Sequence, residues 1–214
     1  WPEYAEKGYL WMIPKCDGRA NVGLVTEDKP RTKKALDEFI EITHFKDLEQ
    51  VPPPWKDKGN PAFGGTIPIS GPYELTYDDG LMLVGDAAGF TSPLFEGGSH
   101  LALKSATFAA SVAAEQIASG DLSAAKMSRY QKLWSDEFPP YGKILQGKSA
   151  LFDLSDDDMS LMARCFPDEM SDMGPHGKLA VCLRILFRRP SLYTKRIIPA
   201  MLSFGYSRAK FYGW

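Results

Sequence analysis

The stretch Leu83-Val84-Gly85-Asp86-Ala87-Ala88-Gly89, with Ser92-Pro93 and Gly97-Gly98-Ser99 close behind it, decides how the rest of this chain is read. Leu81 to Val84 is a compact apolar run after the Asp78-Asp79-Gly80 turn and reads as a strand. Glycine and alanine directly after it keep side chains out of the way, and Asp86 offers one carboxylate to the hydroxyls of a sugar or polyol. Gly97 to Ala118 then has the small and apolar composition of a buried helix, from Leu101, Ala102 and Leu103 to Val112 and Ala113, and Gly120 is placed to end it. The unpaired N–H groups of Gly97, Gly98 and Ser99 and the positive end of the helix suit an electron-rich group. A strand, a turn and an aspartate cap would explain Gly-Asp-Ala-Ala-Gly alone. The proline, the glycine pair and the alanine-rich helix at fixed distances argue for a strand-turn-helix that holds a ligand.

Working outward, Gly8 to Pro14 reads as a strand, with Tyr9, Trp11 and Ile13 on one face and Leu10 and Met12 on the other, so burial on both faces is expected. Asp17-Gly18 signals a hairpin turn, and Ala20 to Val25 returns as the second strand. Pro30 to about Thr43 has helical spacing in Ala35, Leu36, Phe39 and Ile40. Val51 to Trp55, with the glycines near Gly59 and Gly64-Gly65, reads as a loop before a short strand over Thr66 to Ser70. From Leu122 onward the pattern is helical. A long helix breaks near Pro139-Pro140, a second is capped by Ser155 with Asp156 to Asp158 in its first turn, and two more lie between Gly177 and Phe204.

The chain has 214 residues, 44% hydrophobic and 24% charged, which is ordinary for a globular protein. A net charge of -2 gives no global attraction to nucleic acid, and no such partner is expected. Cys16, Cys165 and Cys182 are far apart and form no C-x-x-C, so neither a disulfide framework nor a metal site is expected. That usage fits a cytoplasmic setting. No apolar run has the roughly 18 residues needed to span a bilayer. The chain begins at Trp1 rather than Met and reads as a fragment or a processed product.

Gly80 to about Glu115 resembles the second flavin motif of the para-hydroxybenzoate-hydroxylase-like flavoproteins. By that resemblance Asp86 binds the ribityl chain or the adjoining phosphate-sugar region, while Gly97, Gly98 and Ser99 approach the isoalloxazine ring. Gly85, Ala87, Gly89 and Pro93 complete the implied FAD contacts. Gly8-Tyr9-Leu10-Trp11-Met12-Ile13-Pro14-Lys15 further resembles the Y-x-W-x-F-P-K element of the geranylgeranyl reductases, with Ile13 in place of phenylalanine, and Asp17 to Gly23 continues the match. The helical tail up to Tyr206-Ser207-Arg208 is similar to archaeal, digeranylgeranylglycerophospholipid reductase-like members. The implied fold is α+β, the C-terminal part of such a flavoprotein. It would comprise part of a substrate-binding sheet domain over 1–75, the last segment of the FAD domain over 76–120, and a helical domain over 121–214. The G-x-G-x-x-G turn that such proteins use for the ADP half of FAD does not occur here, so an upstream or separate chain is expected to supply it.

The activity implied by the resemblance is reduction of C=C bonds in the geranylgeranyl chains of an isoprenoid lipid, with hydride from the reduced flavin to one carbon and a proton to the other. Ferredoxin or NAD(P)H would supply electrons. Tyr9, Trp11 and Ile13 are then candidates to line an apolar substrate channel, or are simply core residues. His100, Tyr9 and Cys16 are candidate proton donors, with no catalytic acid assigned. Beyond Asp172 no acid occurs, while Lys178, Arg184, Arg188, Arg189, Lys195, Arg196, Arg208 and Lys210 are interleaved with apolar residues. Such a segment suits peripheral contact with an anionic membrane at the cytoplasmic face. A flavin-dependent halogenase or monooxygenase-like enzyme is the alternative, since Tyr9 to Pro14 almost matches a W-x-W-x-I-P element. A non-catalytic assembly subunit that retains the fold is the third reading.

Overall fold

A computed structural model describes residues 7–43, 64–167, 174–193 and 197–207, which fall into two compact units, Trp1–Gly65 and Thr66–Trp214. In the first unit, strands β1 (Tyr9–Pro14) and β2 (Ala20–Val25) pair antiparallel, with Tyr9 opposite Val25 and Pro14 opposite Ala20. Gly18 takes the left-handed conformation at the corner, and Lys15 N–H closes it on the Arg19 carbonyl at 2.7 Å. The register sets Trp11 across from Gly23, where any β-carbon would overlap the indole ring. Trp11 Nε1 donates to Asn21 Oδ1 at 3.0 Å. A 3-10 turn at Lys29–Arg31, with Pro30 inside it, leads into α1 (Thr32–Ile42), which buries Ala35 and Phe39 and packs on β2.

The expected burial of β1 on both faces is not found. Tyr9, Met12 and Ile13 are exposed and Leu10 and Trp11 are half-buried. Among the described residues of this unit, a two-stranded ribbon and one helix make too few layers to enclose two apolar faces. The expected loop over Val51 to Trp55 and Gly59 lies outside the described residues. The short strand expected over Thr66 to Ser70 does not form, and the segment runs irregularly. Pro68, which has no N–H, removes a ladder donor from its centre.

In the second unit β3 (Tyr77–Asp78) and β4 (Leu81–Met82) form a minimal hairpin about Gly80. The strand expected over Leu81 to Val84 is thus two residues long, although Leu83 N–H still reaches the Thr76 carbonyl at 2.8 Å and Val84 is extended. A 3-10 turn over Gly85–Ala88 follows, then α2 (Ser99–Ser119), closed by left-handed Gly120. Helices α3 (Ala124–Glu137) and α4 (Tyr141–Phe152) are separated at Pro139-Pro140. Ser155 caps α5 (Asp156–Ala163), its hydroxyl accepting from Asp158 N–H, and α6 (Pro175–Arg188) and α7 (Ile197–Tyr206) follow.

Helix α2 is buried along one stripe only. Leu101, Ser105, Val112 and Gln116 are covered, whereas Leu103 is 72% and Ile117 68% exposed, which corrects the expectation of a wholly buried helix. The reason is that α2 packs on α3 and the Gly85–Ala88 turn along that stripe, leaving its other side without a neighbouring layer among the described residues. One core gathers Phe90, Leu101, Val112, Met127, Tyr130, Trp134, Phe138 and Ile144. A second joins Met162, Cys165, Val181, Ile185, Leu192 and Ile197. Between them, α4 and α7 cross closely at Gly147, where a side chain would overlap Ser203 and the Pro199 carbonyl.

Gly89 and Gly120 share a left-handed backbone but differ in surroundings. A methyl group on Gly89 would overlap the Gly71 carbonyl oxygen, whereas nothing lies within 4 Å of one on Gly120. Gly120→Ala is expected to cost about 1–2 kcal/mol from the backbone alone. Gly89→Ala should cost at least about 1 kcal/mol more, and urea unfolding of the two variants side by side measures the difference.

Candidate functional site

The turn that follows β4 is held from behind by α3. Tyr130 Oη donates to the Leu83 carbonyl at 2.6 Å, Gln131 Oε1 accepts from Thr76 N–H at 3.1 Å, and Trp134 Nε1 donates to Thr76 Oγ1 at 2.8 Å. Gln131 Nε2 also donates to the Glu74 carbonyl at 2.9 Å. Burial pushes the Tyr130 hydroxyl up to about 12, so it stays protonated and donating across the working range.

The turn itself needs its glycines. Gly85 has a φ of +56°, and its N–H donates to Ser105 Oγ at 3.1 Å. The Ser105 hydroxyl in turn donates to the Ala102 carbonyl at 2.9 Å. Phe90 N–H returns to the Gly85 carbonyl and Gly89 N–H to that of Asp86, both at 3.0 Å. Phe90 then plugs into the core, its ring centre 5.0 Å from that of Trp134 and 4.8 Å from that of Phe138 in an edge-on contact.

This anchoring leaves a corner facing outward. Asp86 and Ala87 are exposed, and Asp86 Oδ1 accepts from Thr91 Oγ1 at 2.9 Å. Beyond it the chain closes a small loop, with Ser92 N–H on the Gly97 carbonyl and Glu96 N–H on the Ser92 carbonyl, both at 2.9 Å. Gly98 then caps α2 by backbone alone, with no side-chain hydrogen bond, and Ala102 N–H makes the first helical bond to its carbonyl. Helix geometry therefore leaves the N–H groups of the first turn directed at the open end. A β-carbon on Gly98 would stand 3.0 Å from Asp86 Oδ1, so the carboxylate and the helix end share one small space.

Of the residues expected to hold a ligand, Asp86, Ala87, Gly97, Gly98 and Ser99 present accessible surface at this corner. Gly85, Gly89 and Pro93 are buried and shape it from behind. An exposed acceptor, small residues and an uncapped helix start fit a ligand that carries both hydroxyls and an electron-rich edge. His100 is exposed on the first turn of α2. Tyr9, Trp11 and Ile13 stand on one face of β1 in the other unit, the Tyr9 and Trp11 rings 6.0 Å apart, and exposed Cys16 lies in the turn after β1.

Sequence reading did not find Ser105, Thr76, Tyr130, Gln131 or Trp134, whose partners lie 20 to 58 residues away. Thr91 was closer to hand, since a hydroxyl five residues past an aspartate is a local feature.

The chain matches no family model. It is 36% identical over 194 residues to digeranylgeranylglycerophospholipid reductase 2 of Methanothermobacter thermautotrophicus, covering 88% of this chain and 46% of that protein. It is 37% identical over 196 residues to digeranylgeranylglycerophospholipid reductase of Methanocaldococcus jannaschii, covering 89% and 47%. Its fold matches a geranylgeranyl bacteriochlorophyll reductase-like structure from Thermoplasma acidophilum with a TM-score of 0.66 at 28% identity, over 88% of this chain and 47% of that one. The chain thus spans about half the length of the curated relatives it matches. Over most of its own length, this chain is homologous to the geranylgeranyl reductases, and among them to those named for digeranylgeranylglycerophospholipid.

Proposed function

We propose that this chain is part of an FAD-dependent oxidoreductase that reduces C=C bonds in the isoprenoid chains of membrane lipids. The observation that carries the reading is the exposed Asp86–Ala87 corner set against the uncapped start of α2, in a chain whose relatives are named as reductases of a digeranylgeranyl lipid. Asp86 accepts hydrogen bonds from the ribityl or sugar hydroxyls of the cofactor. The first-turn N–H groups around Gly97, Gly98 and Ser99 face the electron-rich edge of its ring system. Gly85, Ala87, Gly89 and Pro93 keep the backbone in reach of the cofactor. When bound and reduced, the flavin supplies a hydride to one alkene carbon. A protein group or water supplies the proton to the other, and His100, Tyr9 and Cys16 are the candidates in this chain. Tyr9, Trp11 and Ile13 offer an apolar face to the lipid. The division at 1–75, 76–120 and 121–214 into substrate sheet, cofactor segment and helical region belongs to the same reading, with the ADP half of FAD held by sequence outside this chain. Ferredoxin or NAD(P)H delivers the electrons.

Purification of the chain together with its natural upstream sequence tests this directly. A yellow protein, bleached by dithionite and reoxidised by a geranylgeranyl lipid, is the expected result. Flavin binding without lipid-dependent reoxidation would point to another oxidoreductase, a halogenase included, and failure to bind added FAD would leave an assembly role. Within that protein Gly98→Ala separates ligand from fold. Its backbone suits any residue, with φ of -134°, and the methyl would stand 3.0 Å from Asp86 Oδ1, 3.3 Å from the Phe90 carbonyl oxygen and 3.4 Å from Thr91 Oγ1, contacts that small shifts relieve. Stability should therefore fall by less than about 1 kcal/mol, while flavin affinity measured by absorbance titration drops several-fold.

Contact with an anionic membrane surface is part of the proposal. On α6, Leu179, Leu183, Leu186 and Phe187 recur at helical spacing on the exposed side, Phe187 being 82% exposed, beside Lys178, Arg184 and Arg188. Lys195, Arg196, Arg208 and Lys210 lie outside the described residues. Among the described residues no helix is long and apolar enough to cross a membrane. Phe187→Asp should reduce sedimentation with vesicles containing phosphatidylglycerol, and equal sedimentation of parent and variant would remove the membrane from the reading.

A further inference from the structure

The loop that delivers the chain to α2 turns on Glu96, whose φ of +51° lies in the left-handed region. A residue with a β-carbon pays about 1–2 kcal/mol there, so the surroundings must hold it. Backbone bonds at Ser92 contribute, and so does an ion pair. The Glu96 side chain is 2% exposed and lies 3.4 Å from Lys148 Nζ, itself 7% exposed. Lys148 sits on α4, its ammonium also over the Phe152 ring at 5.7 Å, and the preceding Gly147 is where α7 crosses.

Bringing two charges out of water is costly, and an apolar pair of similar volume generally serves stability as well or better. Stability alone is therefore a poor reason for this pair. Its position offers a better one. Pro93 and Leu94 are buried before the loop and Leu101 after it, while Gly97 and Gly98 have no side chains by which packing could fix them. Glu96 is the last side chain before the glycines, and Lys148 is what it is fastened to. Lys148 also neutralises a carboxylate three residues ahead of the helix start, where an unbalanced negative charge would oppose an electron-rich ligand.

We infer that Glu96 and Lys148 are a positioning pair: they set the direction of the Gly97-Gly98-Ser99 backbone toward the flavin and so tune how tightly the ring is held. The inference rests on the flavin reading above.

The test uses the flavin-binding protein that contains this chain, with FAD affinity and visible spectrum read beside the thermal midpoint of the flavin-free form. Lys148→Met should weaken FAD by about tenfold and shift the flavin absorption bands. Lys148→Arg should recover most of the affinity. The decisive variant is Glu96→Gln with Lys148→Met, which removes both charges of the pair together. Its midpoint should return close to that of the parent while its affinity remains weak. If affinity instead follows the midpoint through all variants, or Lys148→Met binds FAD like the parent, the pair is only structural and the inference falls. Should Lys148→Met not fold, the double variant and Lys148→Arg decide the matter alone. A parent that binds no FAD overturns the flavin reading itself, a separate outcome.

Discussion

Phe90 carries the architecture of the second unit. Its ring is fully buried between Trp134 and Phe138, and it is the residue at which a sharply turned, glycine-rich segment is tied to the helices. With the chain fastened there, Ala88 and Gly89 are buried, Asp86 and Ala87 face outward, and the turn closes on itself through the Gly85 carbonyl. An exposed carboxylate corner on a small hairpin would otherwise be the most mobile part of the fold. Here the polar corner is tied down because its neighbour in sequence is fully buried in the core.

The same division of labour recurs in α3. Its Tyr130, Gln131 and Trp134 each contribute a ring or stem to packing and a polar tip to a backbone or hydroxyl group of the 74–83 segment. Two very short strands, which could not persist on ladder bonds alone, are thereby held in place by a helix. That arrangement explains how so little sheet can position a site. It also accounts for the one-sided burial of α2, whose covered stripe meets α3 and the turn while its outer side displays Leu103 and Ile117.

What the sequence made legible was local. The Asp17-Gly18 corner, Pro30 in a first turn, the break at Pro139-Pro140, the Ser155 cap and the Gly120 terminus each rest on a residue that acts on its own backbone within a few positions. The Gly85–Ala88 turn could be placed for the same reason, since glycines and one aspartate announce it in a run of seven. Readings that depended on neighbours failed. Thr66 to Ser70 and the full Leu81 to Val84 strand needed partners that did not arrive, and the apolar composition of α2 and β1 said nothing about which face would be covered. Glu96 and Lys148 left no trace, because 52 residues separate them and neither is unusual alone.

The close crossing of α4 and α7 has a consequence for how the protein is made. Gly147 gives up a side chain so that Ser203 can approach, and Ser203 Oγ donates to the Ile144 carbonyl at 3.1 Å across a separation of 59 residues. At roughly 5–20 residues per second on the ribosome, about 3–12 s pass between synthesis of the two halves of this contact. During that interval α4 carries a bare groove at Gly147. Synthesis thus imposes an order in which the hairpin and its turn can settle first, and α4 is locked only when α7 has emerged.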